Sequence, residues 1–195
     1  MKVGLFFGSF NPIHIGHLII ANIMAETTDL DKVWFVVTPH NPLKPSKSLL
    51  HDFDRYDMVR AAVYEHYKLQ VSDVEFHLPK PNYTIHTLVH LTEKHPDKQF
   101  KVIIGEDNLD SFTKWKNYER ILEDYGLYVY PRLQVPGSPV TNPELKRHPN
   151  VRMVEAPLMD ISATFIRNCI KKGQSVRYLV PDSVEAIIRD KKFYQ

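Results

Sequence analysis

Two histidines stand three residues apart in the stretch Gly8-Ser9-Phe10-Asn11-Pro12-Ile13-His14-Ile15-Gly16-His17. An apolar run, Val3–Phe7, precedes it, and a run of helical character, Leu18–Ala25, follows it. The stretch therefore reads as strand, tight polar loop and helix start. Free backbone amides and the helix dipole make such a start attractive to anions. His14 and His17 can both lie over that end and donate N–H bonds to phosphate oxygens, more strongly if protonated. Gly8 and Gly16 allow a phosphate or a flat base to approach the backbone, and Ser9 and Asn11 add short donors. No general acid or nucleophile stands out. The combination suits nucleotidyl transfer, where a protein mainly positions a polyphosphate and stabilises charge. His-x-Gly-His alone is short, and a loop with two chance histidines also fits those four residues.

Far down the chain, Ile161-Ser162-Ala163-Thr164-Phe165-Ile166-Arg167 has complementary chemistry. Ser162 and Thr164 put two hydroxyls at a helix start. Arg167 follows by about one turn, so its guanidinium can fold back to the same end. Hydroxyls, amides and a guanidinium together form a second phosphate cradle. An N-capped helix with a solvated Arg fits the same residues.

The elements that must position these groups are legible from hydrophobic runs. Strand-like runs cover Val3–Phe7, Val33–Val37, Leu69–Val71, Phe100–Ile104, Leu127–Tyr130 and Val151–Val154. Helical patterns cover Gly16–Glu26, Asp52–Tyr67, Thr84–Lys94, Leu109–Glu123, Ser162–Lys171 and Pro181–Lys191. Continuously apolar strands alternating with helices predict an α/β fold, with a parallel sheet covered on both faces. Asp52, Thr84 and Ser162 are expected helix caps, and Pro181-Asp182-Ser183 opens the last helix. Two Pro-rich stretches, Pro39–Leu50 and Pro131–Pro149, are long enough to be functional loops.

Bulk properties bound the rest. The 195 residues suffice for one core, so one domain spanning 1–195 is expected, with a small helical part from about residue 160. A net charge of +2 gives no argument for nucleic acid or an anionic membrane. A single cysteine, Cys169, excludes an internal disulfide and fits a reducing compartment. No apolar run approaches the roughly 20 residues of a membrane span. The expectation is a cytoplasmic protein.

The ten-residue first motif closely resembles the Gly-x-Phe-x-Pro-x-His-x-Gly-His signature of the "HIGH" nucleotidyltransferase superfamily. Ile161–Arg167 resembles the Ile-Ser-x-Thr-x-Ile-Arg signature near the C-terminus of bacterial nicotinate-nucleotide adenylyltransferases. Leu179-Val180-Pro181, Val184 and Phe193-Tyr194 resemble that family's ending. Three inner stretches also match. Asn41-Pro42-Leu43-Lys44-Pro45 resembles a loop whose Lys reaches ATP phosphates, although a solvated Lys44 on a stiff loop is the plainer reading. Asn82–Leu88 resembles a helix start that receives the nicotinate carboxylate, and a simple Thr84 cap fits it equally. Gly105-Glu106-Asp107-Asn108-Leu109 with Trp115 resembles an element in which the Asp contacts ribose and the Trp stacks on pyridine. Buried Trp is also commonly core. Phe7 departs from the family pattern, which often has a second Gly there.

The resemblance implies a Rossmann-like, doubly wound parallel sheet. It implies adenylyl transfer from ATP to nicotinate mononucleotide, giving nicotinate adenine dinucleotide and pyrophosphate in NAD biosynthesis. His14, His17, Lys44 and Arg167 would then be catalytic. Gly8, Ser9, Phe10, Gly16, Ser162 and Thr164 would bind ATP, and Thr84, Asp107 and Trp115 the mononucleotide. Mg²⁺ would arrive with ATP, without a dedicated carboxylate cage. Neither nucleic acid nor membrane is expected as a partner, and a homo-oligomer is compatible with the sequence. The alternatives are a pantetheine-phosphate adenylyltransferase, against which His14 argues because Thr is usual there, and a non-catalytic nucleotide sensor on the same fold.

Overall fold

Apolar residues alternate with chain-reversing helices so regularly that each strand finds its next partner in parallel. The computed structural model describes residues 1–39, 49–133 and 142–195. Among them six strands form one sheet: β1 (Lys2–Gly8), β2 (Lys32–Val37), β3 (Leu69–Ser72), β4 (Gln99–Gly105), β5 (Leu127–Tyr130) and β6 (Val151–Met153). Their order is β3-β2-β1-β4-β5-β6, and every pairing is parallel. The helices are α1 (Ile15–Thr27), α2 (Asp52–Val63), α3 (Thr84–Lys94), α4 (Glu106–Leu109), α5 (Tyr118–Arg120), α6 (Pro143–Lys146), α7 (Ala163–Lys171) and α8 (Asp182–Asp190). This is a Rossmann-like α/β fold.

Successive strand residues bury against opposite layers, as period-2 side-chain geometry requires. Phe6, Phe35 and Ile103 pack with Met24 of α1, Ile166 of α7 and Ile188 of α8. Leu5, Val36 and Ile104 pack on the other face with Leu88 and Leu91 of α3 and with Phe112. Each fully buried side chain of this size contributes about 1.5–3 kcal/mol. The strand order departs in both directions from β1. The crevice past the carboxyl ends of β1 and β4 is thus the switch point, where open α/β sheets bind ligands.

Three local expectations change. α2 stops at Val63, four residues before Tyr67, with Tyr64 as its C-cap. His51, not Asp52, caps α2, because Asp52 turns its carboxylate to Arg55 at 2.6 Å. The helix expected over Leu109–Glu123 is broken into α4, a 3₁₀ turn at Phe112–Lys114, α5 and a π-type turn at Ile121–Tyr125. Asn117 adopts a left-handed conformation at φ 53°, which Asn tolerates better than most residues. The break frees Trp115 from a helix surface. Among the described residues no helix is long and apolar enough to cross a membrane.

Candidate active site

The first motif occupies the turn from β1 into α1. Gly8 ends the strand; a Cβ there would meet the Phe10 ring at 2.8 Å. Phe7 stays inside the strand, paired with Val36. The unusual backbone falls instead on Phe10, at φ 44°. A bulky residue there costs on the order of 1–2 kcal/mol. Burial of its ring against Phe6, Phe35 and His17 offsets that cost.

His14 is the N-cap of α1, and its ring stacks on His17 with centroids 3.6 Å apart. The His14 amide donates to His17 Nδ1 at 3.3 Å. His17 Nδ1 is thus an acceptor, and the neutral ring carries its proton on Nε2. Burial, reinforced by Arg132, lowers the His14 pKa to about 4. Burial, His14 and Arg132 hold His17 well below its ordinary value. Both rings are therefore neutral donors, the weaker of the two charge states open to them from sequence. The buried His14 Nδ1 has no hydrogen-bond partner among the described residues. A Cβ on Gly16 would sit 3.1 Å from that atom, so glycine leaves the His14 ring its place.

Long-range bonds fasten this loop. Arg167 on α7 donates from Nη1 to Asn11 O at 2.8 Å and from Nη2 to Thr164 Oγ1 at 3.1 Å. The Tyr194 hydroxyl donates to Asn11 Oδ1 at 2.9 Å. Arg55, fully buried on α2, donates to the carbonyls of Ser9 (2.6 Å), Thr38 (2.9 Å), Leu50 (3.1 Å) and Pro39 (3.3 Å). It unites the motif loop, the end of β2 and the start of α2.

Beyond the sheet lies a cavity of about 730 Å³, within the range of small-molecule sites. Gly8, Ser9, Thr84, Trp115, Thr164 and Arg167 line it. Thr84 is the first residue of α3, and Tyr83 rather than Thr84 is its N-cap. No side chain caps that end, so its amides are left for a ligand. The Lys116 ammonium sits 4.6 Å from the Tyr83 ring centroid, and Lys114 and Lys116 also line the cavity. The site is thus basic beside an aromatic floor.

A second, narrow cleft of about 20 Å³ lies on the other side of Phe6 and Tyr130. His14, Gly16 and His17 line it with Arg132, Met159 and Ile161. Burial raises the Tyr130 pKa to about 12, so its hydroxyl remains a neutral donor.

The structure brings Gly8, Ser9, Thr164 and Arg167 to one cavity and His14, Gly16 and His17 to the adjoining cleft. Phe10 lies beneath them in the core and acts through shape. The Ser162 Oγ accepts from the Phe165 amide at 3.2 Å as the α7 cap, and Ser162 lines neither space. Asp107 is exposed, lies 3.6 Å from Arg132 Nε and lines neither space, whereas its neighbours Gly105 and Asn108 line the cavity. Lys44 and His40 lie outside the described residues. The sequence reading missed Arg55, Glu75, Asn82 and Lys116. Arg55 carries no local signal, because its carbonyl partners lie on separate segments. Lys116, directly after Trp115, was the readable signal.

Similarity to known proteins agrees with this geometry. Residues 5–169 match the cytidylyltransferase-like family model. A Cytophaga hutchinsonii protein named "Probable nicotinate-nucleotide adenylyltransferase" is 60% identical over 194 residues, covering 100% of this chain and 98% of its own. A Flavobacterium johnsoniae protein of the same name is 52% identical over 195 residues, covering 100% of both. The solved Plasmodium falciparum nicotinic acid mononucleotide adenylyltransferase complexed with NaAD superposes with a TM-score of 0.81. It covers 99% of this chain and 97% of its own at 18% identity, a likeness of fold alone. With its motifs, sheet order and full-length relatives in accord, the chain belongs to the nicotinate-nucleotide adenylyltransferases of the cytidylyltransferase-like family.

Proposed function

We propose that this chain transfers the adenylyl group of MgATP to nicotinate mononucleotide, making nicotinate adenine dinucleotide and pyrophosphate. The carrying observation is the junction of two spaces at the end of β1. Stacked His14 and His17 border one; Thr164, Arg167, Thr84 and Trp115 border the other. The adenosine end of ATP belongs on the histidine side, the phosphates over the Gly8–Ser9 turn, and the mononucleotide against Trp115.

The 5′-phosphate oxygen of the mononucleotide attacks the α-phosphorus in line. A new P–O bond forms, the bond to the β-phosphate bridge oxygen breaks, and its electrons leave with pyrophosphate. The protein supplies alignment and charge stabilisation. The His17 Nε2–H and a His14 N–H act as neutral donors to the α-phosphate oxygens. Arg167, held by Asn11 and Thr164, faces the departing phosphates, while Ser162 serves the site by capping α7; the resemblance assigns Lys44, outside the described residues, a like phosphate-binding role. The uncapped amides of α3 and the Thr84 hydroxyl receive the nicotinate carboxylate, and Trp115 stacks on the pyridine. Asn108, which lines the cavity, flanks the ribose, and the resemblance assigns its neighbour Asp107 a ribose contact. Magnesium belongs to the substrate. Phosphate oxygens and water would carry the ion, as is usual for nucleotide-bound magnesium.

Pyrophosphate release with ATP and each mononucleotide tests the reading. Release with nicotinate mononucleotide, at a higher kcat/KM than with nicotinamide mononucleotide, is the expected result. ATP binding with no release for any acceptor would replace it with a non-catalytic nucleotide-binding role.

A further inference from the structure

Glu75 lies in the wall of the large cavity, on the 3₁₀ turn Val74–His77 after β3, and is 2% exposed. Buried carboxyls are ordinarily paired with cations. Among the described residues this one forms no ion pair. Its Oε1 accepts from the Thr87 hydroxyl at 2.8 Å, one turn into α3, while its Oε2 has no hydrogen-bond partner. Asn82 repeats the pattern: its Nδ2 donates to Glu75 O at 3.0 Å, and its buried Oδ1 is unpaired. Both residues line the cavity beside Thr84. Two buried oxygens there lack donors, and adding a proton to one of them turns an acceptor into a donor.

We propose that Glu75 reads the acceptor as a carboxylic acid, its Oε2–H donating to the nicotinate carboxylate seated at the α3 N-terminus. This rests on the placement of the mononucleotide given above. An ionised Glu75, itself buried from water, would set two like charges against each other, so binding selects the protonated form. Where free Glu75 is ionised, one proton therefore passes from solvent to its Oε2 as the mononucleotide binds.

The surroundings agree. Burial raises the Glu75 pKa, and the hydroxyls of Thr87 and Thr38 only partly oppose it. Among the described residues, the other charged and titratable groups facing the same cavity are Lys114 and Lys116 from the segment after α4, Arg167 from α7, Tyr83 before α3 and Tyr130 from β5. These cations attract the acceptor's carboxylate and phosphate, while among the described residues none bonds to Glu75. The protein can thus combine a basic cavity with a neutral acid in its wall.

Titration calorimetry with nicotinate mononucleotide, run at each pH in two buffers of different ionisation enthalpy, counts the protons taken up. The wild type should take up close to one more proton per ligand than Glu75→Gln at the alkaline end of the series, where free Glu75 is ionised. Glu75→Gln keeps an N–H donor but cannot titrate, and it also subtracts the ligand phosphate, which titrates near pH 6. Nicotinamide mononucleotide should show no such excess. Wild-type binding with no proton uptake across the series would overturn the proposal even if Glu75→Gln failed to fold. So would uptake equal in the two proteins. Absence of any binding heat for both would instead remove the mononucleotide from the cavity, and this inference with it.

Discussion

A proton added to His14 enters a buried ring that stacks on His17 and lies within the field of Arg132. The unfolded chain, with His near 6.5, binds that proton more tightly than the folded chain, with His14 near 4. Stability is therefore complete above about pH 6.5 and falls as pH drops toward 4, by about 1.4 kcal/mol per pH unit for each such histidine. Urea unfolding at stepped pH should show this loss, and His14→Asn should make it shallower. Arg55 is the second residue whose cost is calculable in direction. Arg55→Met strips a donor from the carbonyls of Ser9, Thr38, Pro39 and Leu50 and a partner from Asp52. It should destabilise by about 3–5 kcal/mol in the same assay; a loss below 1 kcal/mol would show that water replaces the guanidinium. The histidines were legible because their spacing is local. Arg55 was not, because its partners come from three separate segments.

At the scale of elements, the α7 cap separates stability from chemistry. Ser162→Ala removes the acceptor of the Phe165 amide, and should lower unfolding free energy by about 0.5–2 kcal/mol. Ser162→Asn, which retains a capping oxygen, should restore most of it. Unchanged stability in Ser162→Ala would mean that α7 is held by packing alone. The strands and α1, α3, α7 and α8 could be read closely from apolar runs, since burial on both faces leaves little ambiguity in them. The segment from Glu106 to Tyr125 could not. Its buried residues Leu109, Phe112, Ile121 and Leu122 are spaced as in a helix, yet Trp115 turns away from that surface to line the cavity. A hydrophobic pattern records which side chains are buried, not that the backbone breaks to aim one at a ligand. The same limit explains Thr84, whose residue type suggested a cap while the structure leaves that helix end open.

At the scale of the whole molecule, the site is closed by contacts across nearly the full chain. Asn11 is bound by Arg167, 156 residues away, and by Tyr194, 183 residues away. The first motif therefore has its final shape only when the last two helices are docked, which no local pattern in the sequence announces. The size contrast between the two adjoining spaces has a kinetic consequence. The acceptor cavity stands open at about 730 Å³, whereas the cleft beside the histidines measures about 20 Å³. An adenine ring is much larger than that space, so it enters only when lining residues such as Arg132 and Met159 move. The mononucleotide needs no such step. In stopped-flow mixing followed by tryptophan emission, its observed rate should climb linearly with concentration, whereas the rate for ATP should level off at the opening rate of the cleft. A linear ATP plot would show that the cleft yields as fast as the nucleotide arrives. The resting shape of the protein thus sets a speed limit for one substrate and leaves the other free to arrive by diffusion.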